Sequence, residues 1–388
     1  MTDIYGCAKK HYDWAVNLRR YFHVHPELSG QEYKTQEKIC QELQSLGVSF
    51  YKAAKTGVIA EIKGGKPGKT IAIRTDIDAL PLQDECGQIY QSQNKGACHA
   101  CGHDGHMAVL FGTIRILKDL QADLSGTFRF LFQPSEEEFP SGAEDLIKAG
   151  ALDGIDAIIG AHIWQPVPLG TIGISYGNLM ASPDKFQIKI KGKGGHGSMP
   201  EQTIDPILTA AQIILGLNTI VSRNIDPLDL GVVSVGSIHA GQAFNVIPET
   251  AIIEGTVRSF SEKIQKLIFN RIETIAQGIC TANGATCTID TVRERPAVIN
   301  NPVYAKAIKD AVDLCESNVK AKEIPPVMSG EDFSYYLHKV PGAFFFIGTG
   351  SAKSTYPHHH PKFDIDEECI LYGMEVMARA AIRLGNAQ

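Results

Sequence analysis

The sequence predicts an α/β chain: a mixed sheet flanked by helices, interrupted by a ferredoxin-like α+β insert of about 110 residues. Three observations predict it. At 388 residues the chain exceeds what one hydrophobic core usually organises. Helical and strand periodicities alternate through residues 1–183 and resume over 295–388. Between them, over 184–294, the order is strand, helix, strand, strand, helix, strand, the split βαβ arrangement.

Taken in order, Thr35, Ile39, Leu43 and Leu46 recur at helical spacing, and 58–62 and 70–74 read as short buried strands. Met107, Leu110, Phe111, Ile114 and Leu117 form the apolar stripe of a helix, followed by a strand over 127–132, a helix over 142–149 and a strand over 157–161. From Asp184 the pattern changes. Residues 186–191 alternate as a half-exposed strand, and Ile204, Ile207, Leu208, Ala211 and Leu215 mark a helix. Strands over 231–238 and 251–259 precede a helix carrying Ile264, Leu267, Ile268, Ile272, Ile275 and Ile279, and 285–292 closes the insert as a strand. Beyond Asn300 come helices over 304–315 and 331–337, a strand over 343–347, and a terminal helix from Asp366 with Ile370, Met374 and Met377 inward.

Composition narrows the function. With 44% apolar and 21% charged residues and a net charge of −6, the chain has no basic footprint for nucleic acid and no charge run suited to a membrane surface. The first residues lack the basic and apolar regions of a signal peptide, so a cytoplasmic protein is expected. Nine cysteines is an odd number, and outside Cys98 and Cys101 they are scattered. That fits free thiols in a reducing compartment better than a disulfide framework.

The chemistry concentrates in Ala97-Cys98-His99-Ala100-Cys101-Gly102-His103-Asp104-Gly105-His106. Thiolate and neutral imidazole are donors that zinc and its neighbours prefer, and a glycine lets the loop turn about an ion. Two other readings are a redox C-x-x-C pair and a closed structural zinc knot. The tract does not follow the first strand of a thioredoxin-like unit, and the chain offers no second ligand pair of the kind a closed site uses. Further donors follow predicted strands: Glu136, Glu137 and Glu138 after 127–132, and His162 after 157–161. His358, His359 and His360 lie near the end of the chain. Loops at the carboxyl ends of parallel strands gather into sites, so the coincidence favours a multi-ligand catalytic centre.

These residues resemble a known family. The tract Cys98 to His106, Gln133-Pro134-Ser135-Glu136-Glu137, Lys191 to Pro200, Asn245-Val246-Ile247-Pro248-Glu249, Met328 to Phe333 and His359 to Asp364 occur in the order of the M20 metallopeptidases. The amidohydrolase branch, with hippurate hydrolase, N-acyl-amino-acid deacylases and auxin-conjugate hydrolases, is the most similar. The resemblance implies a zinc-peptidase-like domain (1–183 and 295–388) interrupted by a lid and dimerisation domain (184–294). It also implies a homodimer and two divalent metal ions per subunit, zinc ahead of manganese, cobalt or nickel. The implied ligands are Cys101, in a bridging place, with His103, Glu137, His162 and His359. Glu136 would be the general base, Asp78 would support a ligating imidazole, and His196 would reach the partner's reacting carbonyl. Asn245 and Arg258 would face the substrate's carboxylate. The implied reaction is hydrolysis of an N-acyl-amino acid of N-acetyl or N-benzoyl type. A dipeptidase or aminopeptidase of the same fold is the alternative, and a non-catalytic metal-binding or redox protein a remote one. The chain departs from the branch at Cys98, usually Met, at Ser135, usually Ala, and at Glu201, commonly His. Cys98 beside Cys101 raises the prospect of an inactivating disulfide.

Overall fold

Where a strand is covered on both faces its sequence is apolar almost throughout; Gly342–Gly350 shows this along most of its length, and Ser125–Gln133 over its segment 130–132. In the computed structural model, which describes residues 3–386, they lie inside an eight-stranded mixed sheet. Its order is Ser49–Ala53, Gly57–Lys63, Ser125–Gln133, Lys66–Asp76, Ala157–Pro168, Gly342–Gly350, Thr171–Ile174 and Lys320–Glu323. The central strands Ser125–Gln133, Lys66–Asp76, Ala157–Pro168 and Gly342–Gly350 run parallel to one another, so their carboxyl ends share one edge. Phe344 and Phe345 sit on opposite faces, as strand alternation requires. Phe345 joins the core made with the helices Ile4–Val24, His103–Asp119 and Glu368–Gly385, whereas Phe344 packs on Phe333 with ring centroids 4.7 Å apart.

This sheet and its helices make one unit: the residues up to Leu179, Ile299–Pro325, and those from Asp332 onward. The second unit comprises Met180–Val298 and Pro326–Glu331. It holds a four-stranded antiparallel sheet in the order Gly231–Ala240, Thr250–Ser259, Ser182–Lys191, Thr286–Arg293. Phe186, Ile188 and Ile190 point inward while Lys185, Lys189 and Lys191 face out, the alternation of a sheet with one face covered. The covering helices are Pro206–Leu217, capped by Asp205 on two backbone N–H groups, and Glu262–Ala282, capped by Ser261. The latter buries Ile264, Ile268, Ile272, Ala276 and Cys280, a stripe four residues apart.

Some elements differ from the sequence expectation. The helix Ile4–Val24 and the strands Ser49–Ala53, Thr171–Ile174 and Lys320–Glu323 were not expected, and the helix expected over 331–337 is only Ser334–Leu337. Ser49–Ala53 and Lys320–Glu323 are mostly exposed and carry little apolar signal, while Thr171–Ile174 is buried but only four residues long. Among the described residues, no helix is long and apolar enough to cross a membrane.

Candidate metal centre

Gly102 adopts φ +88°, a left-handed conformation open to glycine at little cost, and with it the cysteine tract turns into the helix His103–Asp119. That turn places Cys101 and His103 on either side of the bend. His162 comes from the strand Ala157–Pro168, next but one to Ser125–Gln133, after which Glu136 and Glu137 follow. His359 is fastened to the tract, its N–H donating to Ala100 O at 2.8 Å, and it too has positive φ, +63°.

The structure thus brings the five expected ligands together. Cys101 Sγ lies 3.4 Å from His162 Nε2, and Glu137 Oε1 lies 3.8 Å from His103 Nε2 and 3.3 Å from His359 Nε2. Donor atoms of Cys101, His103 and His162 fall within 4.8 Å of one another, as do those of Cys101, Glu137 and His359. Cys101 is common to both groups.

Hydrogen bonding settles which nitrogens hold free lone pairs. His103 Nδ1 donates to Asp78 O at 2.9 Å, with Asp78 Oδ1 at 3.2 Å, so Nε2 is the ligand-ready atom. His162 Nδ1 donates to Ile163 O at 2.7 Å, which leaves its Nε2 toward Cys101. Asp78 also accepts from Glu137 N at 3.0 Å and Ser29 Oγ at 2.7 Å, so one carboxylate fixes two candidate ligands. Glu136 is buried and accepts from Asp332 N at 3.4 Å.

Sequence reading missed the support beneath. Arg74, wholly buried, reaches Asp76 at 2.8 Å, Gln133 at 2.8 Å and Asp332 at 2.7 Å, tying three strand-end loops into one network. Its signal was the carboxylate pair in Arg74-Thr75-Asp76-Ile77-Asp78, of which the sequence reading singled out Asp78 alone. His106 belongs to this support: Nδ1 donates to Asp76 at 2.7 Å and Nε2 accepts from Ile163 N at 2.8 Å, so neither nitrogen is free. Burial opposes the charge of Asp76, but His103, His106 and Arg74 outweigh it and hold the carboxyl well below its usual range.

The donors fit a pair of divalent cations. His103 Nε2 and Glu137 Oε1 are buried with no hydrogen-bond partner, an expensive arrangement unless a ligand satisfies them. Burial, then Glu137, pushes the Cys101 thiol well above its ordinary pKa, so a thiolate there requires positive charge nearby. All nine cysteines are free, Cys98 and Cys101 among them. The Cys98 thiol is raised by burial and then by Asp84, Asp104 and Cys86, an environment different from that of Cys101.

His196, Asn245 and Arg258 lie in the other unit. His196 pairs with Val246 in a two-stranded ribbon, and Gly197 N donates to Asn245 O at 2.9 Å. Ser198 N–H donates to His196 Nδ1 at 3.1 Å, so a neutral ring carries its proton on Nε2. Arg258 is anchored to Met328 O at 3.1 Å and Val257 O at 2.9 Å.

Residues 72–383 match the profile of peptidase family M20/M25/M40. The chain is 43% identical over 370 residues to the N-acetylcysteine deacetylase of Bacillus subtilis (strain 168), covering 95% of this chain and 96% of that protein. It is 49% identical over 272 residues to the N-acyl-L-amino acid amidohydrolase of Geobacillus stearothermophilus, 70% of this chain and 74% of that one. The crystal structure of a Bacillus subtilis protein described as a dinuclear metal-binding peptidase of family M20 matches with TM-score 0.87 and 38% identity, over 98% of this chain and 100% of that one. With a match running through both arms of the sheet and relatives similar over nearly its whole length, the chain belongs to peptidase family M20/M25/M40.

Proposed function

We propose that the chain is a homodimeric, cytoplasmic amidohydrolase that splits N-acyl-amino acids into a carboxylate and a free amino acid. The observation that carries this reading is the adjacency of Glu136 and Glu137. Glu137 presents an unpartnered oxygen to the imidazoles, and Glu136 is buried beside the same donor cluster. The deacetylase and amidohydrolase relatives support the substrate class.

Cys101, His103, Glu137, His162 and His359 would hold two divalent ions, zinc by donor preference. Bound there, such ions acidify water and polarise the amide carbonyl. Glu136 takes the proton of the attacking water and returns it to the leaving nitrogen, a general base becoming a general acid. Asp78 keeps His103 and Glu137 oriented. His196, acting on the neighbouring subunit's substrate, offers its Nε2 proton to the carbonyl oxygen as negative charge develops. Arg258 and Asn245 take the substrate's carboxylate, for which a planar guanidinium is suited.

Glu136→Gln tests the assignment. The metals should stay bound while kcat falls by about 10²–10⁴, the usual worth of a positioned base. Amine release from N-acetyl, N-benzoyl and dipeptide substrates, with each metal restored under reducing conditions, reads both turnover and preference. Near-normal turnover at unchanged metal content would refute the role, and faster cleavage of unacylated dipeptides would make the protein a peptidase.

A further inference from the structure

Away from this centre, the loop after Leu82 closes on Asp84. The Asp84 carboxylate accepts from Cys86 N at 2.8 Å and Ser92 N at 2.7 Å, and its carbonyl accepts from Gln91 Nε2 at 2.6 Å. The turn sets Cys86 beside Asp84, and the last turn of the helix Ile4–Val24 supplies His23. His23 and Asp84 are buried, and Cys86 is half-buried. Cys86 Sγ lies 3.6 Å from Asp84 Oδ2 and 3.8 Å from His23 Nε2, while those two atoms are 3.3 Å apart.

Two explanations compete for this triangle: His23 as an imidazolium bridging two carboxylates, or His23 as a metal ligand. An imidazolium–carboxylate hydrogen bond spans about 2.7–2.9 Å. His23 makes a contact of that length on its other nitrogen, Nδ1 to Asp104 Oδ2 at 2.8 Å. Arg19 Nη2 also lies 3.2 Å from Nδ1, but a carboxylate can only accept, so the shorter contact places the proton on Nδ1. The gap from Nε2 to Asp84 is too long to match that bond. It suits two ligands of one tetrahedral ion: with about 2.0–2.1 Å to N or O and about 2.3 Å to S, such ligands stand about 3.3–3.4 Å apart, and about 3.5–3.6 Å from sulfur. All three measured edges agree to within a few tenths of an ångström.

We propose that His23 Nε2, Asp84 Oδ2 and Cys86 Sγ form a second metal site, for zinc or a cation of similar softness, distinct from the centre around Cys101. Asp104 supports it in the manner common to metal-bound imidazoles, by holding the opposite ring nitrogen. Binding releases the Cys86 thiol proton to solvent, and the thiolate and Asp84 then balance the charge of the dication. Water fills the fourth position. The loop is already closed around Asp84 by three hydrogen bonds, so the ion would stabilise the junction between the first helix and the loop leading into the cysteine tract.

The test compares zinc content, by elemental analysis after removal of excess metal, in the wild type, Cys86→Ala and Cys101→Ala. Cys86→Ala should hold one zinc fewer per chain than the wild type with unchanged amide hydrolysis. Cys101→Ala should lose hydrolysis yet keep the zinc at Cys86. Alkylation of the wild type, mapped by peptide mass spectrometry, reads the site without mutation: zinc should protect Cys86 at least tenfold, also in Cys101→Ala. Equal zinc content in wild type and Cys86→Ala, or alkylation of Cys86 at the same rate with and without zinc, would overturn the proposal and leave His23 as a bridging imidazolium. Neither result bears on Glu136, whose substitution tests the hydrolytic reading separately.

Discussion

Asp78→Asn is the most informative single change, because one carboxylate serves two proposed ligands and carries no chemistry of its own. Its oxygens face His103 Nδ1 at 3.2 Å, Glu137 N at 3.0 Å and Ser29 Oγ at 2.7 Å. An asparagine retains one acceptor, so its NH₂ must confront an N–H at one end. If it faces Glu137 N, no adjustment is available, since a backbone N–H cannot become an acceptor. If it faces His103, the ring can relieve the clash only by moving its proton to Nε2, which removes the ligand lone pair. That tautomer also sets a bare Nδ1 against Asp78 O, now 2.9 Å away. Burial opposes the Asp78 charge, but His103, the Glu137 N–H and Ser29 together outweigh it and lower the carboxyl pKa, so an anion is expected at neutral pH. Losses of such supporting groups typically cost about 10–100-fold in metal affinity, or about 1.4–2.7 kcal/mol. Ser29→Ala is the calibration. It removes one hydrogen bond to the same carboxylate while leaving both ligand contacts, and should cost about 0.5–1.5 kcal/mol. Chelator competition gives the affinity of each variant, and turnover at saturating metal separates weak binding from a damaged site. Wild-type affinity in Asp78→Asn, or a loss no greater than that in Ser29→Ala, would refute the supporting role.

Cys101→Ala should deplete metal where Glu136→Gln does not, because a ligand shared by two ions disappears; full occupancy by elemental analysis would rule out the bridge. The proposed dimer gives a sharper test of His196. Mixing inactive His196→Ala with inactive Glu136→Gln should recover roughly a quarter of wild-type activity, since about half the dimers are mixed and each holds one competent site. No recovery, with subunit exchange verified by native mass spectrometry, would place the histidine's action within its own chain or nowhere.

The strongly periodic elements were legible in the sequence because each buries one continuous stripe: Glu262–Ala282 shows its isoleucines every third or fourth residue, and Ser182–Lys191 alternates cleanly. The first helix was not, and the reason is chemical. Ile4–Val24 buries His11, Arg19 and His23 among its apolar residues. Arg19 pairs with Asp104 at 2.7 Å and Asp364 at 2.6 Å, partners far along the chain, so polar letters occupy core positions and break the pattern. A buried charge is tolerable only with a partner, and sequence periodicity cannot reveal one supplied by another segment. The same limit hid Arg74 and its network.

The tract Cys98–His106 shows most directly what composition can and cannot say about a site. Its three imidazoles are equivalent on paper, and folding gives each a different chemistry. His106 spends both nitrogens on the protein, giving to Asp76 and accepting from Ile163 N, and so is lost as a ligand. His103 spends one, on Asp78, and keeps the other bare at a buried position facing Glu137. His99 spends neither; both nitrogens are buried without partners, and burial pushes its pKa down to about 3, so it sits neutral beneath the loop. The sorting follows from geometry fixed elsewhere: Asp76 ends its strand and Asp78 lies two residues beyond, and they reach His106 and His103, three residues apart on the helix beginning at His103. Two carboxylates, at a strand's end and just past it, set against imidazoles three residues apart on one helix, thus decide which histidine stays available to a metal and which becomes scaffold.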